Sequence, residues 1–309
     1  MFTIFIKAQR SALIADYINE LYNKVATLLD NDIISIKDIP LTLCISIIED
    51  PLINRHISKV ILANEAVDSI EELVTVIKER VKNEYTRLEV VPSEAEDKLL
   101  LDMEANGIKL SPSRYDKVLY IFKGNKIYFS LLDKSYIFKK IQDRHISRAY
   151  YKMMEAVKRF KISLSKSYSV LDIGAAPGGW SEYLKDYVKE IVAVDPGDLL
   201  VNSYNIRHIK GRFEDVVDSL AEYCCFDLIV IDVNRDPIYA AELLIKASGL
   251  AKKDAKIIMT AKLFKRSKSY RDHIIERFRS VIKDRFLLLD MKRLISNSDN
   301  EITLLLSKI

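Results

Sequence analysis

The second half of the chain alternates short apolar runs with segments whose apolar residues recur at helical spacing. Continuous apolar runs are typical of strands covered on both faces, and their alternation with helices is typical of a parallel sheet. The pattern predicts an α/β domain with a mostly parallel, seven-stranded sheet whose last strand is antiparallel. The predicted strands lie at 170–173, 191–194, 207–209, 226–232, 256–262, 286–292 and 301–308.

The first half lacks this alternation and predicts an α+β domain instead. No glycine-rich or serine-rich linker separates the two halves, and we place the boundary at residue 140, giving predicted domains 1–140 and 141–309. Within the first domain the pattern predicts a strand at 2–7, helices at 12–29, 69–82 and 93–106, and a hairpin at 117–132 that turns at Gly124 and Asn125.

A turn of small residues follows the first predicted strand of the second domain. It reads G-A-A-P-G-G from Gly174 to Gly179, and an amphipathic helix begins at about Trp180. Small residues let the backbone approach a ligand closely, and the start of a helix offers free N–H donors. The next strand ends in Asp195, where a carboxylate can bind two ribose hydroxyls. These residues predict a nucleoside-binding site.

The identity of the nucleoside follows from a departure in the turn. Nicotinamide cofactors use the pattern G-x-G-x-x-G, in which the backbone binds a pyrophosphate. Here Ala176 replaces the second glycine, and Pro177 removes an N–H donor where a pyrophosphate would need one. S-adenosylmethionine has no phosphate, so the sequence favours it over a nicotinamide cofactor. A tight turn without any ligand is the structural alternative.

Four polar residues stand at the predicted edge of the sheet or beside it. Asp232 and Lys262 end two parallel strands, Glu301 begins the antiparallel last strand, and Lys152 lies on a helix before the first strand. Because ligands bind beyond the carboxyl ends of parallel strands, we expect these side chains to converge near the glycine turn. Each alone has an ordinary structural explanation, such as a solvated lysine or a carboxylate capping a turn. Together they predict a catalytic cluster.

Composition narrows the class of protein. The chain has 309 residues, 49% hydrophobic and 30% charged, and a formal net charge of +4, which is compatible with RNA binding without requiring it. Three cysteines and four histidines form neither a disulfide framework nor a zinc spacing. No apolar run approaches the roughly 20 residues that span a bilayer. We therefore expect a cytoplasmic protein with no membrane partner and no metal.

Several segments of the second half resemble the FtsJ family of RNA ribose 2′-O-methyltransferases. They read ISRAYYKMMEA, SVLDIGAAPGGWSEYL, FDLIVID, AKLF and NEITLLL, and the resemblance covers about 144–309. It implies a Rossmann-like fold, S-adenosylmethionine as methyl donor, rRNA or tRNA as substrate, and a catalytic Lys-Asp-Lys-Glu tetrad. The matching positions here are Lys152, Asp232, Lys262 and Glu301.

The resemblance extends to members that act on large-subunit rRNA and carry an N-terminal THUMP domain. AKLFKRSKSYRDH and IDVNRDPIYAAELL are similar to parts of those enzymes, while SIEELVTVIKERV and YIFKGNKIYFSLL resemble a THUMP RNA-binding region. One departure concerns the adenine. The family often has an aspartate where this chain has Arg212, and Glu214 and Asp215 are the candidates to replace it.

The predicted roles divide into three groups. Lys262 would accept the proton of a ribose 2′-hydroxyl or stabilise its alkoxide, Lys152 and Asp232 would orient the groups, and Glu301 would hold a lysine. The predicted cofactor-binding residues are Asp172, Gly174, Ala176, Pro177, Gly178, Gly179, Trp180, Asp195, Phe213 and Asp232. The predicted RNA-binding residues are Arg148, Lys265, Arg266, Lys268 and Arg271, with Tyr150, Tyr151 and Phe264 as candidates to stack on bases.

Three other functions remain open at this point. The first is a non-catalytic RNA-binding protein that retains the methyltransferase fold. The second is methylation of cytosine C5, which needs a cysteine nucleophile, whereas Cys224 and Cys225 precede a strand at the wrong end of the sheet. The third is methylation of a small molecule, which would leave the first 140 residues without a purpose.

Overall fold

The chain divides into two compact units. The computed structural model describes residues 1–223, 225–265 and 267–309. The N-terminal unit is Met1–Asp143, and the C-terminal unit is Arg144–Ile309.

The N-terminal unit contains two four-stranded sheets, whose strand orders are β2-β3-β1-β4 and β5-β8-β7-β6. The strands are β1 (Phe2–Ala8), β2 (Ala26–Asp30), β3 (Ile33–Ile39), β4 (Ile57–Ala63), β5 (Glu65–Val67), β6 (Thr86–Val91), β7 (Lys117–Lys123) and β8 (Ile127–Asp133). The α-helices are α1 (Ser11–Tyr22), α2 (Leu41–Glu49), α3 (Pro51–Asn54), α4 (Ile70–Val81) and α5 (Glu96–Ala105).

The predicted helix over 12–29 is wrong in its last third. Helix α1 ends at Tyr22, Asn23 adopts a left-handed conformation with φ of 50°, and 26–30 forms β2. Leu28 and Leu29 matched the helical spacing, yet both are exposed, and β2 gains its hydrogen bonds by antiparallel pairing with β3. The predicted hairpin at 117–132 is confirmed as β7 and β8.

The C-terminal unit confirms the predicted sheet. Its seven strands are ordered β11-β10-β9-β12-β13-β15-β14, and β15 runs antiparallel to both of its neighbours. The strands are β9 (Ser169–Ile173), β10 (Glu190–Asp195), β11 (Ile206–Lys210), β12 (Phe226–Ile231), β13 (Ala251–Lys262), β14 (Phe286–Lys292) and β15 (Glu301–Lys308).

Helices cover both faces of this sheet, as the continuous apolar strands predicted. Alternate strand residues enter different apolar clusters: Val170 packs with Met153 and Trp180 on one face, while Leu171 packs with Phe278 on the other. No helix within the described residues of either unit has the length and hydrophobicity needed to cross a bilayer. The α-helices are α6 (Ala149–Arg159), α7 (Gly179–Leu184), α8 (Phe213–Val216), α9 (Pro237–Ala247) and α10 (Lys268–Ile282).

Candidate active site

The glycine turn lies between β9 and α7 and brings two strand ends into close contact. Gly174 has φ of 82°, and a Cβ atom there would lie 2.9 Å from the carbonyl oxygen of Asp232. Gly178, with φ of 116°, would place a Cβ atom 2.6 Å from Val201. Side chains larger than hydrogen are therefore excluded at both positions. The close approach at Gly174 places Asp232, directly after β12, beside the turn.

Asp172, on β9 below the turn, is a buried carboxylate with one unused oxygen. Its Oδ2 accepts a hydrogen bond of 2.7 Å from the Ser181 hydroxyl, whereas Oδ1 has no partner among the described residues. Burial raises the pKa of Asp172 to about 7, the Ser181 hydrogen bond opposes this shift, and the charges of Asp232 and Asp195 add to it. The indole nitrogen of Trp180 is likewise buried without a partner in the described ranges. Buried polar atoms without a protein partner can bind a ligand or an ordered water.

A cleft of about 380 Å³ opens beside this turn. Its volume lies in the range of small-molecule sites. Asp195 ends β10 at the cleft, and its Oδ1 accepts a hydrogen bond of 2.7 Å from the backbone N–H of Gly197. Phe213, the first residue of α8, forms part of the apolar wall. The predicted cofactor residues Gly174, Asp195 and Phe213 thus line one cleft.

The cleft also distinguishes the two candidates to replace the missing adenine aspartate. Glu214 lines the cleft together with Arg212, whereas Asp215 is exposed and does not line it. The hydroxyl of Tyr239 donates a hydrogen bond to Glu214, and this bond lowers the pKa of the Glu214 carboxyl against the effect of burial. Glu214 is therefore the carboxylate available at this wall.

The four residues of the predicted tetrad lie together at the edge of the sheet. Lys152 Nζ on α6 lies 3.0 Å from Asp232 Oδ2 and 3.2 Å from Glu301 Oε2. Lys262, the last residue of β13, faces Glu301, the first residue of β15, in the antiparallel register, and their Nζ and Oε1 atoms are 3.8 Å apart. The amines and carboxylates alternate through space, in the order Asp232, Lys152, Glu301, Lys262.

Glu301 carries its charge between the two lysines. Burial raises its pKa, but Lys152, the backbone N–H of Ser298 and Lys262 together outweigh burial, so the net pKa is lowered. Lys152 is only 7% exposed and is bound by two carboxylates, whereas the Lys262 side chain is 25% exposed. Lys262 is therefore the more accessible of the two amines. The second oxygen of Asp232 is buried without a partner in the described residues.

Sequence reasoning missed two residues of this site. Asn234 accepts a hydrogen bond of 3.3 Å from Lys262 Nζ, and Tyr239 lines the cleft and binds Glu214. Asn234 follows the β12 strand end by a few residues, and such a polar residue after a strand end was the available signal. Cys225 precedes β12 at the opposite end from Asp232, and Cys224 lies outside the described residues.

The predicted RNA-binding residues are mostly exposed. Arg148 precedes α6, and Lys268 begins α10. Lys265 and Arg271 line a cavity of about 220 Å³ that also includes Arg293 and Glu301. Arg266 lies outside the described residues.

The three candidate stacking residues differ in accessibility. Phe264 is 68% exposed. Tyr150 is half-buried and already stacks on His145, with ring centroids 3.5 Å apart. Tyr151 is buried, so it packs in the protein rather than against a base.

Comparison with known proteins places this site in a family. A sequence model of the FtsJ-like methyltransferase family matches residues 145–283. The chain is 30% identical over 148 residues to ribosomal RNA large subunit methyltransferase E of Pelagibacter ubique, covering 42% of this chain and 72% of that protein. The chain belongs to the FtsJ-like methyltransferase family.

Two further comparisons give a sequence similarity to a longer protein and a similarity of fold to a solved structure. The chain is 30% identical over 173 residues to an uncharacterized protein of Methanocaldococcus jannaschii, covering 55% of this chain and 49%, about half, of that protein. The structure of TrmN from Thermus thermophilus matches over the whole of both chains with a TM-score of 0.52 and 12% identity, which shows a shared fold.

Family membership identifies the methyl donor as S-adenosylmethionine. The residues present fit this cofactor, because the cleft has room for a nucleoside and Asp195 ends a strand beside it. Below the turn, Asp172 and Trp180 offer buried polar atoms that the described protein leaves unpaired.

Proposed function

We propose that this protein is an RNA 2′-O-ribose methyltransferase that acts on rRNA or tRNA. The observation that carries the proposal is the cluster of Lys152, Asp232, Lys262 and Glu301 beside a nucleoside-sized cleft. Membership of the FtsJ-like family and similarity to proteins named ribosomal RNA large subunit methyltransferase E support RNA as the substrate.

The chemistry needs positioning and one proton acceptor. The bound cofactor supplies a methyl group already activated by a positive sulfur. Lys262 would take the proton of the 2′-hydroxyl as the methyl group passes to the ribose oxygen. The bond between sulfur and the methyl carbon would break as the O–C bond forms, leaving S-adenosylhomocysteine. Asp232 and Lys152 orient the reacting ribose, and Glu301 holds both lysines in place.

The N-terminal unit serves in this proposal as a THUMP-like RNA-binding region. Support comes from the resemblance of its helix α4 and of its β7–β8 hairpin to such regions. The competing function, an RNA-binding protein without catalysis, has less support. Burying Lys152 between two carboxylates carries a desolvation cost, and a protein that only binds RNA has no need of such a cluster.

The deciding experiment measures methyl transfer from tritiated S-adenosylmethionine to RNA from a strain that lacks this protein. We expect Lys262→Ala to lower the transfer rate by about 10² to 10⁴, with unchanged affinity for S-adenosylhomocysteine. Lys256→Ala is the matched control, because Lys256 lies on the same strand and its Nζ bonds Ser307 instead. Nucleoside analysis should find the label on a ribose 2′-oxygen. Label on a base, or full activity of Lys262→Ala, would refute the proposal.

A further inference from the structure

Helix α6 carries three buried charged residues on one face. Lys152, Glu155 and Arg159 are 7%, 0% and 9% exposed, and their spacing of three and four residues places them in one row. Buried charges are costly unless they are paired and hydrogen-bonded. Their partners therefore indicate what this face of the helix does.

Lys152 pairs with Asp232, and Arg159 contacts Glu155 on the same helix. Further partners lie at residues 293–301, the segment that joins β14 to β15 together with the first residue of β15. Glu155 Oε1 accepts a hydrogen bond of 2.8 Å from the N–H of Ile295, and Oε2 accepts one of 3.0 Å from the N–H of Ser296. Arg159 donates a hydrogen bond of 3.1 Å to the carbonyl oxygen of Arg293. Lys152 binds Glu301 at the end of the same segment. One helix face thus holds the segment along its length.

The segment is short and internally braced. Asn297 Oδ1 accepts hydrogen bonds from the Leu294 N–H and the Thr303 hydroxyl, which link the middle of the segment to its start and to β15. Glu301 begins β15 only five residues after Ser296. A displacement at the Glu155 contacts would therefore reach the Glu301 carboxylate.

Stability alone does not explain this arrangement. Replacing buried ion pairs by well-packed apolar residues is often neutral or stabilising. What two backbone hydrogen bonds to one carboxylate do supply is a defined position for the segment that contains Ile295 and Ser296.

We propose that Glu155 is a positioning residue for methyl transfer. Its carboxylate fixes segment 293–301, which sets Glu301 against Lys152 and Lys262, and Arg159 fixes the start of the same segment. The catalytic part of this inference rests on the proposed function, whereas the structural part concerns only the position of the segment.

The first test is the variant Glu155→Gln, compared with Lys158→Gln at an exposed position of the same helix. Glutamine keeps the size of the side chain, but its amide nitrogen cannot accept the second backbone N–H. We expect kcat to fall about 10-fold to 100-fold, with KM for RNA and affinity for S-adenosylhomocysteine unchanged. Should Glu155→Gln fail to fold, Glu155→Asp, which keeps the charge on a shorter side chain, is measured in the same way.

The second test asks whether Glu155 acts through Glu301. In a Glu301→Gln background, adding Glu155→Gln should lower the rate little further, because the carboxylate that it positions is already gone. If the two losses multiply, Glu155 acts independently and the inference is wrong.

The third test does not depend on activity. Hydrogen exchange of the amides at 293–302 should accelerate in Glu155→Gln but not in Lys158→Gln. If these amides exchange faster in Glu155→Gln but the wild-type protein methylates no RNA, Glu155 still positions the segment and the proposed function is wrong. An active wild type whose Glu155→Gln variant keeps full kcat and full protection would refute this inference alone.

Discussion

Each unit contains a buried aspartate, and the two can be compared: Asp50 is bonded within the N-terminal unit, and Asp172 belongs to the candidate active site. In the N-terminal unit, Asp50 accepts hydrogen bonds of 3.0 Å from the hydroxyls of Tyr17 and Tyr22 and one of 2.9 Å from the N–H of Leu52. Both of its oxygens are therefore bonded. In the C-terminal unit, Asp172 has one bonded oxygen and one without a partner in the described residues.

The difference separates a carboxylate whose two oxygens are both bonded within the protein from one whose second oxygen has no partner within the described residues. Burial raises the pKa of Tyr22 and the Asp50 charge raises it further, so the hydroxyl remains a donor to Asp50. Asp232 follows the pattern of Asp172, since one of its oxygens is buried and unpaired within the described ranges. Asp172 and Asp232 both lie close to the glycine turn, where the proposed cofactor and ribose would bind.

The largest expected effect comes from removing Asp232, whose Oδ1 has no partner in the described residues. Asp232→Ala should lower single-turnover methyl transfer by about 10² to 10⁴. Because it removes one of the two carboxylates that pair with the buried Lys152, it should also lower the temperature of thermal unfolding. Asp227→Ala is the control, because Asp227 lies on the same strand but pairs with Lys252 at its other end. A large loss of stability with retained activity would place Asp232 in the structural class and break the comparison.

Removing Asp50, whose two oxygens are both hydrogen-bonded within the protein, should lower stability and leave cofactor binding unchanged. Asp50→Ala removes an acceptor of hydrogen bonds from two tyrosine hydroxyls and one backbone N–H, so we expect local stability to fall by about 2 kcal/mol. Hydrogen exchange of the α1 amides measures this loss, with the exposed Asp16→Ala on α1 as control. Affinity for S-adenosylhomocysteine should not change. A weakened cofactor affinity without local destabilisation would contradict the assignment.

The pH dependence of stability sharpens the same comparison. The pKa of Asp172 is raised in the folded protein to about 7 from 3.8, because burial disfavours the charged form. The folded state therefore holds this proton more tightly than the unfolded state. Its stabilising contribution is complete below pH 3.8 and is lost as the pH rises through about 7.

Urea unfolding of the C-terminal unit between these pH values measures the effect. The free energy of unfolding should decrease with rising pH by at most about 1.4 kcal/mol per pH unit. Asp172→Asn should flatten this dependence, since asparagine does not titrate, whereas Asp227→Asn near the start of β12 should not. An unchanged slope in Asp172→Asn would show that another group binds the proton.

The sheet and most of the site could be predicted because strand ends are visible in the sequence. The continuous apolar runs that end at Asp232 and Lys262 defined two parallel strands, and the last run placed Glu301 at the same edge. The strand at 26–30 could not be predicted in this way, because its leucines also fit a helix and only pairing with β3 decides between the two.

The position of Glu155 also lay beyond the sequence. Beside Lys152 on a helix, Glu155 resembles an ordinary surface residue, and its backbone partners Ile295 and Ser296 are 140 and 141 residues away. Contacts over such separations depend on how β14 and β15 return to the sheet, which no local pattern records. Asn234, the partner of Lys262, was visible only as a polar residue shortly after a strand end.

The smallest expected effect is on RNA binding, which we test at Arg271. Arg271 lies exposed in the cavity beside Glu301, so Arg271→Gln should weaken RNA binding a few-fold and reduce the slope of log K against log salt by about one. Arg279→Gln, eight residues further along α10, is the control. Fluorescence anisotropy between about 50 and 200 mM salt measures both. Asp232→Ala should keep the wild-type salt slope, because Asp232 pairs with Lys152 and carries no positive charge that a phosphate could bind. A salt slope altered by Asp232→Ala would contradict this division of roles between Arg271 and Asp232.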